Sequence, residues 1–141
     1  MKEKVLAYIL RQKHERLELL TFEHIDYPDA GIQVPGGSID PGERAEAAVL
    51  REVFEEAGLE GFENMIYLGV SEFLHPKRQE WQRRHFYQMA YTQNSPDTFD
   101  FIVQGTGSDH GLGFRYLWRS LDQLPVLEVQ QGEFLHLLKV N

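Results

Sequence analysis

Glu52, Glu55 and Glu56 stand at positions i, i+3 and i+4 of a segment whose apolar residues recur at helical spacing. On a helix such positions share one face, a turn apart. Two carboxylates roughly 6 Å apart repel by about 3 kcal/mol at an effective dielectric near 20. Solvent relieves much of this, and Arg51 is the cation placed to offset more of it. The natural counterpart is a hard divalent ion, because Mg²⁺ and Mn²⁺ take carboxylate and carbonyl oxygens and keep room for waters and phosphates. An acidic trio is also a common solvated helix face, so the surrounding residues must decide between the two readings.

The element that carries the trio is well marked. Ala47, Leu50, Val53, Phe54 and Ala57 follow the 3-and-4 spacing of an amphipathic helix over Glu43–Ala57, with an apolar stripe centred on Leu50, Phe54 and Ala57. Asp40, Pro41 and Glu43 have the form of an N-cap, a first-turn proline and a capping-box acid, and Gly58 is placed to end the helix. Upstream, Lys4–Arg11 and Arg16–Glu23 read as a hairpin across the polar link Gln12–Glu15. A turn at Tyr27–Gly31 leads to a brief strand through Ile32 and Val34, broken at Pro35-Gly36-Gly37. Downstream, Met65–Phe73, Phe86–Tyr91 and Gly113–Trp118 read as strands. Phe99 to Val103 forms a short one inside the long link Asn94–Gly113, and Leu127–Val140 is expected to form a closing helix. This order implies a mixed sheet covered on two sides, an α/β or α+β sandwich.

Composition removes several function classes. The 141 residues carry 14 Lys plus Arg against 22 Asp plus Glu, a net charge of −8, which argues against a nucleic-acid coat protein. The absence of cysteine excludes disulfides, thiolate metal sites and cysteine nucleophiles. With 42% hydrophobic residues the chain can bury a core, yet no apolar run is long enough to span a bilayer. The N-terminal apolar stretch is too short and broken for a signal peptide. One soluble, cytoplasmic domain over residues 1–141 is expected, with no nucleic-acid or membrane partner.

The segment Gly37-Ser38-Ile39-Asp40-Pro41-Gly42-Glu43 through Arg51-Glu52-Val53-Phe54-Glu55-Glu56-Ala57-Gly58-Leu59 resembles the signature of the Nudix hydrolases. Gly37, Glu43, Arg51, Glu52, Val53, Glu55, Glu56, Gly58 and Leu59 match every specified position of that pattern. At average residue frequencies a chance match in a chain this long is on the order of one in ten million. The resemblance implies a Nudix-like α/β/α sandwich with a mixed sheet between helices. It also implies a loop–helix–loop that binds Mg²⁺ or Mn²⁺ and the diphosphate of a nucleoside diphosphate linked to another group. By the same resemblance Glu52, Glu55 and Glu56 are metal ligands, joined by the Gly36 carbonyl. Glu52 or another acid acts on the attacking water, Glu43 and Arg51 form a supporting ion pair, and Gly37 lets the loop approach closely. A Nudix-fold module that senses a nucleotide without cleaving it is the alternative, although such a module is expected to have lost acidic ligands that are all present here.

Other residues are weaker candidates. Lys77, Arg78, Arg83, Arg84 and His85, interrupted by Trp81, form a basic cluster. Arg83 and Arg84 from it could hold substrate phosphates, or the cluster could be a solvated hairpin link. Asp109 and His110 lie in a glycine-rich loop that could supply an extra base, with Glu72, Glu80 and Glu128 as rivals. His24 reads as a surface or packing residue. Specificity rests on loops outside the motif, so nucleoside triphosphates, dinucleoside polyphosphates, ADP-ribose-like sugars and nucleotide coenzymes all stay open, and a homodimer is compatible with the sequence.

Overall fold

A computed structural model describes residues 1–140. Its sheet contains β1 (Lys2–Lys13), β2 (Arg16–His24), β3 (Gly36–Ser38), β4 (Glu63–Leu74), β5 (Trp81–Ala90), β6 (Thr98–Ile102) and β7 (Gly113–Ser120), and α1 spans Ala45–Ala57. Strand order is β4-β5-β1-β2-β7-β6, with β3 added against β1. β1 and β5 run parallel and every other pairing is antiparallel, so the sheet is mixed and the fold is α+β.

β1 has an unbroken buried run because both its faces are covered. Val5, Ala7 and Ile9 join Ala48, Val49, Val53 and Ala57 of α1 in one apolar cluster. Leu6, Tyr8 and Leu10 join Val34, Phe86 and Leu127 in a second cluster on the opposite face. The β1–β2 hairpin closes with His14 and Glu15, both at positive φ, between the paired residues Lys13 and Arg16. Two such residues give the turn whose twist suits paired strands.

Several expectations need correction. The helix begins at Ala45, so Asp40, Pro41 and Glu43 precede it, although the Asp40 N–H still donates to Glu43 Oε1 at 3.0 Å. Gly58 ends the helix as expected, in the left-handed region at φ 71°, with its N–H donating to the Phe54 carbonyl. The buried face is not centred on Leu50 and Phe54, and Phe54 is 50% exposed. Ala48, Val49, Val53 and Ala57 are the residues that meet β1, and Glu56 is buried beside them. Helical period alone admitted either stripe, and contact with the sheet selected the smaller side chains.

The expected strand at Ile32–Val34 is only an isolated bridge between Gln33 and Phe22, while Gly36–Ser38 pairs with β1 where a break was expected. A Cβ on Gly36 would lie 2.5 Å from the Val5 carbonyl, so only glycine can lie this close to β1. Trp81 to His85 belongs to β5, not to the link before it.

The closing helix over Leu127–Val140 is absent. Glu128–Gln130 and Leu135–Leu137 form single 3-10 turns, and Val129 and Gln130 take positive φ. The Arg84 guanidinium draws on the Val129 and Gln130 carbonyls at 2.7 and 3.0 Å, so those acceptors are turned away from a helical ladder. The segment instead straps the second face of the sheet, where Phe134, Leu135 and Leu138 pack on the second cluster. No described helix is long and apolar enough to cross a membrane.

Candidate active site

The cleft forms where β1 parts from β2. The two strands pair only over Leu10–Lys13 and Arg16–Leu19. Beyond that point the 33–38 loop wedges between them, held by the Ala7 N–H on the Pro35 carbonyl and by reciprocal bonds between Phe22 and Gln33. The opening encloses about 400 Å³. Gly36, Gly37, Arg51, Glu52, Glu55 and Glu56 line it on the helix side.

Arg51 organises these acids. Its Nε and Nη2 donate to the two oxygens of Glu43 at 2.8 and 2.9 Å, and Nη2 also donates to the Ser38 carbonyl at 2.9 Å. Its Nη1 reaches Glu52 at 3.0 Å and Glu55 at 3.2 Å. The hydrogen bonds from Arg51 hold the Glu43 carboxyl down at about 2. One guanidinium thus ties Ser38, the Glu43 carboxylate that precedes α1, and two acids of the helix into a single unit, using the fork that lysine lacks.

Glu56 is held differently. It is 6% exposed and accepts only the Gly36 N–H, at 3.2 Å. Burial pushes its pKa well up, and the neighbouring Glu52 adds to the rise. Burial also raises Glu52, against the pull of Arg51. Gly37 permits this packing, since a Cβ there would collide with the Glu52 carboxylate. Among the described residues no three His, Asp or Glu side chains are drawn together into a cation cage. The donor chemistry nonetheless fits a hard divalent ion. A buried carboxylate with a single protein donor and a part-buried one beside it, both with raised pKa, are the groups whose ionised form a cation would favour.

The loop after β6 closes the same cleft. Gln104 donates its N–H to the Glu55 carbonyl at 2.8 Å, and Tyr116 donates its hydroxyl to the Glu56 carbonyl at 2.8 Å, which fixes the end of α1. Asp109 and His110 line the cleft, and the Asp109 charge adds to the rise in Glu56. Glu72, Glu80 and Glu128 are not among the lining residues; Glu72 pairs with Arg83 instead.

The expected Arg83–Arg84 pair is split, because adjacent strand residues point to opposite faces. Arg83 pairs with Glu3 and Glu72 away from the cleft. Arg84 lines the cleft, but it is 2% exposed, stacks on Phe73 at 4.1 Å and spends two nitrogens on the strap. His24 packs edge-on against Phe114 at 4.6 Å, as the packing alternative expected, and it also lines the cleft, with Nδ1 buried and unpartnered and its pKa lowered by burial. Gln131 was missed by the sequence reading. Its side chain accepts the Val34 N–H at 2.7 Å and so anchors the loop from beneath, a contact that no local pattern announces.

A family model described as "NUDIX domain" matches residues 2–138. The chain belongs to the Nudix hydrolase family. The mouse diphosphoinositol polyphosphate phosphohydrolase 3-alpha is 29% identical over 144 residues, spanning 99% of this chain and 79% of that protein. Two solved structures share the Nudix fold. A MutT NUDIX hydrolase from Burkholderia pseudomallei superposes with a TM-score of 0.71 at 24% identity, covering 98% of each chain. A C. elegans Ap4A hydrolase binary complex gives 0.60 at 20% identity, covering 86% of this Nudix chain and 82% of that one. The family places the activity of this chain as hydrolysis of phosphoric anhydride bonds.

Proposed function

We propose that this Nudix hydrolase cleaves a pyrophosphate bond in a nucleoside diphosphate linked to another group, using Mg²⁺ or Mn²⁺. Glu52, Glu55, Glu56 and the Gly36 carbonyl are the groups that would hold the ion, with Glu43 and Arg51 supporting them. The observation that carries the reading is Glu56, a buried carboxylate given a single hydrogen-bond donor beside the Glu52 carboxylate. An ionised pair in that setting is costly without an added cation.

When bound, the ion neutralises charge on the phosphate oxygens and the leaving group. The chain's own residues supply the rest. Arg51 orients Glu52 through its Nη1 and fixes the loop through Ser38. Gly37 keeps the loop close to the Glu52 carboxylate. Glu52, or Asp109 from the facing loop, takes the proton of the attacking water. The water oxygen forms a bond to one phosphorus while the bridging P–O bond breaks, and the second phosphate leaves with that bridging oxygen.

The test is a panel of ADP-ribose, Ap4A, a nucleoside triphosphate, a nucleotide coenzyme and a diphosphoinositol polyphosphate. Each is incubated with Mg²⁺, with Mn²⁺ or with a chelator, and products are identified by phosphorus NMR. Metal-dependent cleavage of at least one nucleotide is expected. Turnover confined to the inositol compound would overturn the nucleotide assignment. Nucleotide-dependent thermal stabilisation with no cleavage of any compound would make the chain a sensing module.

A further inference from the structure

The cleft has a second wall of opposite charge. Lys4, His75, Arg78 and Arg84 line it together with the acids of α1. Strand alternation explains the division. Even-numbered β1 residues share the strap face, and Lys4 is in register with Arg84 of the parallel strand β5. The carboxylates come from the helix side and the cations from the strap side. Lys4 also pairs in register with Ser38, next to Gly37, so it begins where the Nudix loop ends.

These cations differ from the other basic residues nearby. Arg83, Arg84 and His85 each have a carboxylate oxygen within 4 Å, whereas neither Lys4 nor Arg78 has such a partner among the described residues. Glu80, Glu52 and Glu56 all attract Lys4 without an ion pair inside 4 Å; Glu80 accepts from Gln82 at 3.1 Å outside the cleft lining, and Glu52 is already held by Arg51 at 3.0 Å. The His75 ring is fixed in tautomer. Its Nδ1 accepts the Lys77 and Arg78 N–H groups at 3.3 and 3.2 Å, which leaves the proton on Nε2 as a donor. The ring also packs edge-on against Phe73, beneath which Arg84 is stacked. Burial pushes the pKa of both Lys4 and His75 down, and the Arg78 charge adds to the fall. In a chain of net charge −8, Arg78 and Lys4 stand beside the Arg84 charge with no ion-pair partner within 4 Å, so an anion that joins them is favoured.

We propose that Lys4, His75 and Arg78 form a second anion subsite, which takes a phosphate group of the substrate beyond the anhydride bond that is cleaved. Lys4 donates from the Nudix-loop end, His75 through Nε2–H and Arg78 from the turn between β4 and β5. Arg84 is the floor of the subsite and contributes charge but not its two bonded nitrogens. The substrate class is therefore one with at least one phosphate remote from the scissile bond, either on a longer polyphosphate bridge or on a phosphorylated polyol. The proposal rests on the hydrolase reading above for its place in catalysis, and on the lining geometry alone for anion binding.

The experiment has a binding arm and a kinetic arm. Inorganic tripolyphosphate is titrated calorimetrically into the full chain in chelator, so that no divalent ion contributes. Arg78→Ala and Lys4→Gln are expected to weaken binding by about tenfold each, and Lys77→Ala, the same charge change on an exposed neighbour outside the cleft, by less than about twofold. In the kinetic arm, Arg78→Ala is expected to raise KM for Ap4A or for a diphosphoinositol polyphosphate far more than for ADP-ribose. The compound with the larger rise identifies the bridge or the polyol as the source of the remote phosphate. Arg78 is exposed in a turn, so its variant stays informative if the β1 change at Lys4 lowers folding yield. Equal losses in Arg78→Ala and Lys77→Ala, or no tripolyphosphate binding by the parent chain, would overturn the subsite. Binding that follows the expected pattern in a chain that cleaves nothing would leave the subsite standing and remove the hydrolytic reading instead.

Discussion

Arg51→Ala is expected to cost both stability and turnover, and the structure sets the size of the first. The side chain is 28% exposed and makes two bonds to Glu43, itself 17% exposed, and one to the Ser38 carbonyl. Bonds to charged groups contribute roughly 1.5–3 kcal/mol each when buried. Discounted to about 1 kcal/mol each for partial solvation, the three give about 3 kcal/mol. For a chain of this size that corresponds to a fall in Tm of about 10 °C. The loss has a pH signature. Glu43 sits at about 2 in the folded protein against an ordinary value of 4.5, so its contribution is complete above 4.5 and is lost as pH falls toward 2. The gap between parent and variant should therefore be widest at neutral pH and close between pH 4.5 and 2. Urea unfolding across that range, run beside hydrolysis of the best panel substrate, measures both effects. A Tm change under about 2 °C with full activity, or a gap that does not vary with pH, would refute the reasoning.

Glu56→Gln is expected to lower kcat by about a hundredfold or more while raising Tm slightly at neutral pH. Burial raises the Glu56 pKa, so the ionised carboxylate costs stability above pH 4.5, and the gain should vanish below it; parallel kinetics and melting curves at pH 4 and 7.5 check this. Gly37→Ala should displace the Glu52 carboxylate and reduce turnover by about tenfold, with Tm within about 3 °C of the parent because a side chain can swing aside; steady-state kinetics with calorimetry separate the two. Tyr8→Phe removes a buried hydroxyl that donates to the Gln131 carbonyl at 2.5 Å and accepts the Phe134 N–H at 3.2 Å, so it should cost about 1–3 kcal/mol, read from the urea midpoint.

The acidic helix α1 and its flanking loop were legible because their constraints are local. Gly58 needs only its own φ, and the acids need only the helical repeat. The strands were legible where one or both faces are buried, as in β1. What failed depends on distant partners. Leu50 and Phe54 have the right period for a buried stripe, but the sheet receives Val49 and Val53 instead. Leu127, Leu135 and Leu138 look helical in isolation, yet Arg84 claims the carbonyls that a helix would need. The basic cluster suffered from counting charge without strand parity. Arg83 and Arg84 are neighbours in sequence and face opposite ways, while Lys4 and Arg78 meet at the cleft from far apart in the chain.

The strap beneath the cleft bears on the order of events in folding. Gln131 meets Tyr8 across 123 residues and Val34 across 97, and Arg84 meets Val129 across 45. Closing such long loops is entropically unfavourable until the pieces they join already present a surface. The β1–β2 hairpin and α1 rest on near neighbours and can form early, whereas the underside of the Nudix loop is held by residues near the other end of the chain. Loop-closure entropy therefore puts the docking of residues 127–138 late, and with it the fixing of Val34. A chain arrested before that step carries its full set of acids on a formed helix, facing a loop that has not yet been held in place.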